Sequence, residues 1–143
     1  MVLRGTGENL EVLLFDHPFA GTQMVKGTIE RGESASEAAV RELAEESGIE
    51  GASCVRDIGT WEECPLGQVW HFREMSVPKT LAESWSHFTS DGGGLKFSFR
   101  WHLLGAPAPA SCHPVFVSAL KFLQSRLLLQ PLAEGKPAPP SAA

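Results

Sequence analysis

Residues 27–49 read GTIERGESASEAAVRELAEESGI, in which a segment with two glycines leads directly into an acidic helix. Ser34 is followed three residues later by Glu37, which is the pattern of a capping box and marks the start of a helix. Gly48, at the other end, is typical of a left-handed helix stop. We therefore predict a helix over residues 34–47.

Three carboxylates of this helix, those of Glu42, Glu45 and Glu46, fall on one face. At about 100° per residue, the three positions span an arc of roughly 100°. Like charges at this spacing repel one another, and a bound divalent cation is the usual way in which proteins relieve such repulsion. Mg²⁺ and Mn²⁺ both favour oxygen ligands. This face of the helix is therefore a candidate site for a divalent cation such as Mg²⁺ or Mn²⁺.

The same stretch resembles the signature of the Nudix hydrolases. That signature is a glycine, five residues, a glutamate, seven residues, and then Arg-Glu-aliphatic-x-Glu-Glu-x-Gly-aliphatic. Every position is filled here, by Gly27, Glu33, Arg41, Glu42, Leu43, Glu45, Glu46, Gly48 and Ile49. A glutamate-rich helix face is usually only a solvated surface, but the complete signature reverses that expectation and favours metal binding.

The resemblance implies four ligands for the cation, three of them side-chain carboxylates and one a backbone carbonyl. They are Glu42, Glu45, Glu46 and, through its carbonyl oxygen, Lys26. It also implies that Glu33 and Arg41 support catalysis, since a guanidinium fork can fix the orientation of a carboxylate.

The general base differs among members of the family, which use either a signature glutamate or an acid from a later loop. We favour Glu42, and Glu83 and Asp91 are the loop alternatives. Residues 83–94 contain both acids and a run of glycines, and we expect them to form a loop over the cleft.

Substrate contacts are predicted at residues that flank the signature or lie in that loop. The Lys26 ammonium is suited to a phosphate group. The other candidates are His17, Phe19, Glu83 and Asp91.

Length and composition indicate one domain with a short tail. The chain has 143 residues, of which 43% are hydrophobic, enough to bury a core. We assign the domain to residues 1–129 and a disordered Pro/Ala-rich tail to residues 130–143. Three cysteines without CxxC spacing indicate reduced thiols.

Charge and hydropathy exclude several classes of partner. The formal net charge of −5 disfavours binding along a nucleic-acid backbone, which requires a basic surface. No apolar run is long enough to span a bilayer, and the N-terminal residues lack the pattern of a signal peptide. We therefore expect a cytoplasmic protein without a membrane partner.

The pattern outside the signature predicts an α/β fold. A second helix is expected over residues 113–129, which place apolar residues at helical spacing. Strands are expected at residues 1–4, 11–15, 22–26, 54–64, 68–77 and 95–104. The Nudix resemblance implies that these strands form a mixed β-sheet sandwiched between α-helices.

The function implied is a divalent-metal-dependent pyrophosphohydrolase that cleaves a phosphoanhydride bond of a nucleoside diphosphate linked to another moiety. Lys26 before the signature resembles diadenosine polyphosphate hydrolases, whereas Pro65 is similar to the downstream proline of ADP-ribose pyrophosphatases, so the substrate stays open. One alternative is an RNA 5′-end pyrophosphohydrolase, and another is a non-catalytic nucleotide-binding regulatory module. The expected partner is a small nucleotide-derived molecule, and a homodimer is a further expectation.

Overall fold

Seven strands and two helices follow one another along residues 1–90 and 94–128, the part of the chain that the computed structural model describes. The strands are β1 (Leu3–Arg4), β2 (Glu11–His17), β3 (Gly21–Gln23), β4 (Ser53–Trp61), β5 (Trp70–Ser76), β6 (Ser84–Thr89) and β7 (Leu95–Leu103). The helices are α1 (Ala35–Ser47) and α2 (Pro114–Leu127), and neither is long and apolar enough to cross a membrane. Asp91 and the predicted tail, residues 130–143, lie outside the described residues.

Two antiparallel sheets make up the β-structure of the described residues. The larger has the order β1-β2-β7-β6, with β3 paired to β2. The smaller is formed by β4 and β5. The first residue links the two sheets, because the carbonyl of Met1 accepts a hydrogen bond of 2.8 Å from the backbone N–H of Met75 in β5.

The central strand β2 alternates its side chains between two apolar cores. Val12 and Leu14 belong to the core that contains Leu120 of α2. Leu13 belongs to the other core, which contains Leu43 of α1. Because successive side chains of a strand point to opposite faces, the two helices cover opposite faces of the large sheet. The predicted α/β arrangement, with a sheet between helices, is confirmed.

Local sequence signals determine the boundaries of α1. The side chain of Ser34 accepts a hydrogen bond from the Glu37 backbone at 3.1 Å, and the Glu37 carboxylate accepts one from the Ser34 backbone at 3.2 Å. Gly48 ends the helix with a φ of 77°, a left-handed conformation that favours glycine. The predicted helix is therefore confirmed, and its start fixes the acidic face relative to the segment that precedes it.

One prediction is wrong in the second half of the chain. Residues 84–89, which we expected in a loop over the cleft, form β6 and pair with β7 from Ser84–Arg100 to Thr89–Leu95. Trp85 explains the difference. Its ring stacks on Phe99 with the centroids 5.1 Å apart, and its indole N–H donates to the Ser47 carbonyl at 3.0 Å. The strand is thereby attached to both the sheet and the end of α1.

Candidate active site

A cavity of about 350 Å³ is lined mainly by three parts of the chain, which are the glycine segment (residues 26–33), α1 and β5. Gly27 and Glu42 of the signature line this cavity, together with Trp70 at the start of β5. The volume lies within the range of small-molecule sites, roughly 300–1,000 Å³. The glycine segment and Glu42 of the predicted helix face thus border a cavity of suitable size for a ligand. Glu45 and Glu46 are not among the described residues that line it.

Gly27 lies against the side chain of Glu42. A β-carbon placed on Gly27 would overlap the carboxyl group of Glu42. Gly27 is not among the glycines with positive φ, so its backbone conformation alone would permit an alanine. The close approach of the two residues is therefore what requires a glycine at this position.

Arg41 joins the carboxylates of the signature to the glycine segment. Its Nε and Nη2 donate to the two carboxylate oxygens of Glu33 at 2.8 and 2.9 Å. Its Nη1 donates to Glu42 at 2.7 Å and to Glu45 at 3.3 Å. Nη2 also donates to the carbonyl of Thr28 at 3.0 Å. One guanidinium therefore holds two helix carboxylates and ties α1 to the preceding segment.

The charges of this network reinforce one another. Arg41 lowers the pKa of Glu33 to about 2, and a hydrogen bond from the Glu30 backbone N–H to the Glu33 carboxylate acts in the same direction. The pKa of Arg41 is raised by its hydrogen bonds to Glu33 and Glu42. Both partners stay charged at neutral pH, so this pair positions other groups and does not transfer protons.

The low pKa of Glu33 predicts a pH dependence of stability. The ordinary value of the pKa is 4.5, so the ion pair contributes its full stability above about pH 4.5 and loses it as the pH falls toward about 2. Glu33→Gln should lack this contribution. Urea denaturation midpoints measured between pH 2 and 6 should therefore fall more steeply for the wild type than for the variant. Parallel pH profiles for the two proteins would contradict the assignment.

The donor set of the signature has the chemistry of a divalent-cation site. Three glutamates and a backbone carbonyl offer only oxygen ligands, which suits Mg²⁺ or Mn²⁺. Within residues 1–90 and 94–128, however, no three His, Cys, Asp or Glu side chains converge as a metal cluster. Arg41 binds one oxygen each of Glu42 and Glu45, so a cation would compete with Arg41 for these two carboxylates. The chemistry fits the ion, although the carboxylates are oriented by the guanidinium.

The other predicted contact residues lie in two different places. Lys26 is exposed and lines the cavity, with its Nζ 5.2 Å from the centre of the Trp70 ring. His17 caps the turn between β2 and β3, where its Nδ1 accepts hydrogen bonds from the backbone N–H groups of Phe19 and Ala20 at 3.0 Å. Phe19 is 84% exposed, and neither His17 nor Phe19 is among the described residues that line the cavity.

Glu83 forms an ion pair with Arg4 and is not among the described residues that line the cavity. It directly precedes β6, and Arg4 donates to its two carboxylate oxygens at 2.7 and 2.8 Å. The pKa of Glu83 is lowered by this pair. The cavity lining does not include it, so the structure gives no support to Glu83 as a general base. Asp91, the other loop acid, lies outside the described residues.

Sequence reasoning did not single out the contribution of β5. Trp70 and His71 line the cavity, as do Gln68 and Val69 just before the strand. Trp70 was one of four tryptophans without a distinguishing local signal. Only the pairing of β4 with β5 and the packing of the hairpin beside α1 bring it next to the signature.

Comparison with known proteins supports the interpretation of the signature. The family model described as the NUDIX domain matches residues 1–88, more than half of the chain. The matched part contains the whole signature and every described residue that lines the cavity. A search of curated proteins finds no match to the chain.

Proposed function

This chain belongs to the Nudix family of hydrolases that act on pyrophosphate bonds, and from that premise we propose that it is a divalent-metal-dependent pyrophosphohydrolase of nucleotide derivatives. The substrate is a nucleoside diphosphate linked to another moiety, and the products are a nucleoside monophosphate and a phosphorylated remainder. The observation that carries this proposal is the contact of Gly27 with Glu42 beside the cavity, with Glu42 held by Arg41.

Hydrolysis of a phosphoanhydride places specific demands on a site. Charge on the phosphate oxygens must be neutralised, a water must be held in line with the phosphorus, and the proton of that water must be accepted. A Mg²⁺ or Mn²⁺ ion held by Glu42, Glu45, Glu46 and the Lys26 carbonyl would neutralise the phosphate oxygens and orient them.

Glu42 is the residue that we assign as general base. It lines the cavity, where a substrate phosphate and its attacking water would lie. Arg41 fixes the Glu42 carboxylate through a hydrogen bond of 2.7 Å. Arg41 is itself fixed by the two hydrogen bonds that it donates to the Glu33 carboxylate. Glu33 and Arg41 are therefore positioning residues, which hold the carboxylate in place for proton transfer.

Lys26 supplies the cationic side chain of the cavity lining next to Gly27. Its exposed ammonium can pair with a phosphate oxygen, which would help to retain a diphosphate beside Glu42. Arg73 also lines the cavity, but its Nη1 donates to Asp57 at 2.8 Å. Lys26 is thus the side chain that we assign to substrate phosphate.

A substrate screen tests the proposed function. The protein is incubated with ADP-ribose, nucleotide sugars, dinucleoside polyphosphates, nucleoside triphosphates and 5′-triphosphorylated RNA, with Mg²⁺ or with a chelator. We expect chromatography to resolve a nucleoside monophosphate and a phosphorylated remainder in the Mg²⁺ samples alone. Turnover confined to RNA would favour the 5′-end alternative. Nucleotide binding without any turnover would favour the non-catalytic module.

The homodimer and the cytoplasmic location that the sequence leads us to expect stay predictions.

A further inference from the structure

Trp70 presents a fixed aromatic surface to the cavity. The ring is half-buried and is supported by Trp61, edge-on at a centroid distance of 5.2 Å, and by Phe116 at 5.5 Å. Its indole N–H donates to the side-chain oxygen of Gln68 at 3.0 Å. These contacts fix the orientation of the ring, so a planar ligand would meet a surface that is already in place.

The position of Lys26 shows which part of this ring a ligand can reach. Its ammonium lies over the ring, 5.2 Å from the centroid, whereas the supporting aromatic groups come from the core. Lys26 is exposed, and a cation over an aromatic ring is only weakly held where water has access. Since Lys26 precedes Gly27, the accessible face of Trp70 lies within one lysine side-chain length of the signature.

The cavity between Trp70 and the signature has the chemistry of a site for an uncharged planar group. Most of its lining is apolar and comes from the glycine segment, α1 and β5, with Ile29, Leu43 and Phe72 as examples. Its charged groups are Lys26 of the glycine segment, Glu42 of α1 and Arg73 of β5, and Arg73 is paired with Asp57. The lining therefore offers an apolar surface to the base of a nucleotide and charged groups to its phosphates.

We propose that the face of Trp70 covered by Lys26 is the stacking surface for the base of the substrate, and that the displaced Lys26 ammonium pairs with the diphosphate. The proposal rests on the proposed function and deepens it, because it assigns the residue that binds the base of the nucleoside diphosphate. Every base has a π face, so Trp70 selects for the presence of a base and not for its identity.

Binding of two product analogues tests this assignment without requiring turnover. AMP and ribose 5-phosphate share the sugar and the phosphate and differ in the base. Calorimetry with Mg²⁺ should show AMP binding to the wild type roughly tenfold to a hundredfold more tightly than ribose 5-phosphate, the range measured for base stacking on aromatic residues. Trp70→Leu should abolish this difference, and Trp70→Phe, which keeps a ring, should retain most of it.

Trp101 provides a matched control. It is also half-buried, with the Arg4 guanidinium 4.2 Å from its ring centroid, but it is not among the described residues that line the cavity. Trp101→Leu should therefore leave the preference for AMP unchanged. AMP should also quench tryptophan fluorescence in the wild type and in Trp101→Leu, and not in Trp70→Leu.

Three results would overturn the stacking assignment. They are equal affinities of the wild type for the two ligands, equal weakening of both ligands by Trp70→Leu, and loss of the AMP preference in Trp101→Leu. If Trp70→Leu shows no cooperative thermal transition, the wild-type preference and its retention in Trp70→Phe decide the question. Turnover in the substrate screen together with equal affinities for AMP and ribose 5-phosphate would overturn the stacking surface alone. A preference for AMP without turnover would remove the hydrolase and leave the surface.

Discussion

Glu42→Gln should lower kcat for the diphosphate substrate by roughly 10²–10⁴-fold, the range typical of a lost general base. The amide has nearly the shape of the carboxylate and can still accept the hydrogen bond from Arg41, so the fold should persist. It cannot accept the proton of the attacking water, and it carries no charge for a cation. Steady-state kinetics with Mg²⁺, together with a thermal melt, measure both effects.

Glu50→Gln is the control for this substitution. Glu50 is an exposed glutamate just beyond the end of α1 and outside the cavity lining, so the same chemical change there should leave kcat unaltered. A Glu42→Gln variant that keeps kcat within about twofold of the wild type would exclude Glu42 as the base. Another carboxylate of α1 would then be the candidate for the general base.

Gly27→Ala should reduce kcat/KM by about 100-fold or more, because a displacement of about 1 Å in a reacting group can have an effect of this size. The added methyl group would overlap the Glu42 carboxyl group and force that side chain away from Arg41 and the cavity. The backbone at Gly27 is compatible with alanine, so the free energy of unfolding should fall by no more than about 1 kcal/mol, the usual contribution of a partly exposed ion pair such as Arg41–Glu42. The prediction is thus a loss of activity without a comparable loss of stability, measured by kinetics and urea denaturation.

Gly32→Ala, in the same segment, should have the opposite outcome. Gly32 has a φ of 81°, and among the described residues no atom beyond its two chain neighbours lies within 4 Å of an added β-carbon. The alanine therefore has space but adopts a left-handed conformation, which costs about 1–2 kcal/mol of stability. Activity should remain near that of the wild type. The interpretation of Gly27 fails if the two variants lose activity and stability in the same proportions.

The part of the fold that the sequence predicts well is the part whose signals are local. Both ends of α1 depend on residues within one turn of each boundary, namely the Ser34–Glu37 capping box and Gly48. Such hydrogen bonds form between near neighbours in any tertiary context, so their pattern is visible in the chain itself. The acidic face of α1 follows directly from these boundaries.

The features that were missed depend on partners far away in the sequence. β6 has few apolar residues, and what makes it a strand is the pairing with β7 and the contact of Trp85 with Phe99. Trp70 likewise comes to line the same cavity as Glu42 only when the β4–β5 hairpin packs next to α1. Neither contact has a local pattern, because side-chain packing across strands decides the outcome.

The sequence predicted the repulsion on the acidic face but not its compensation by Arg41. The spacing of the glutamates indicates repulsion that a cation would relieve, and the structure adds that Arg41 already offsets part of it by binding Glu42 and Glu45. The side-chain reach of an arginine on the same helix depends on its rotamer, which the sequence does not specify. Competition between this guanidinium and a divalent ion is therefore a property that only the structure shows.

The central claim is that the glutamates of α1 bind a divalent cation, and calorimetric titration with Mn²⁺ tests it most directly. The wild type should give a saturable isotherm. Glu45→Gln and Glu46→Gln should each weaken the affinity by about tenfold or more, a loss at least as large as that found when groups supporting a metal ligand are removed. Glu50→Gln should reproduce the wild-type curve. Isotherms that are the same for all four proteins, or no saturable binding by the wild type, would contradict the account.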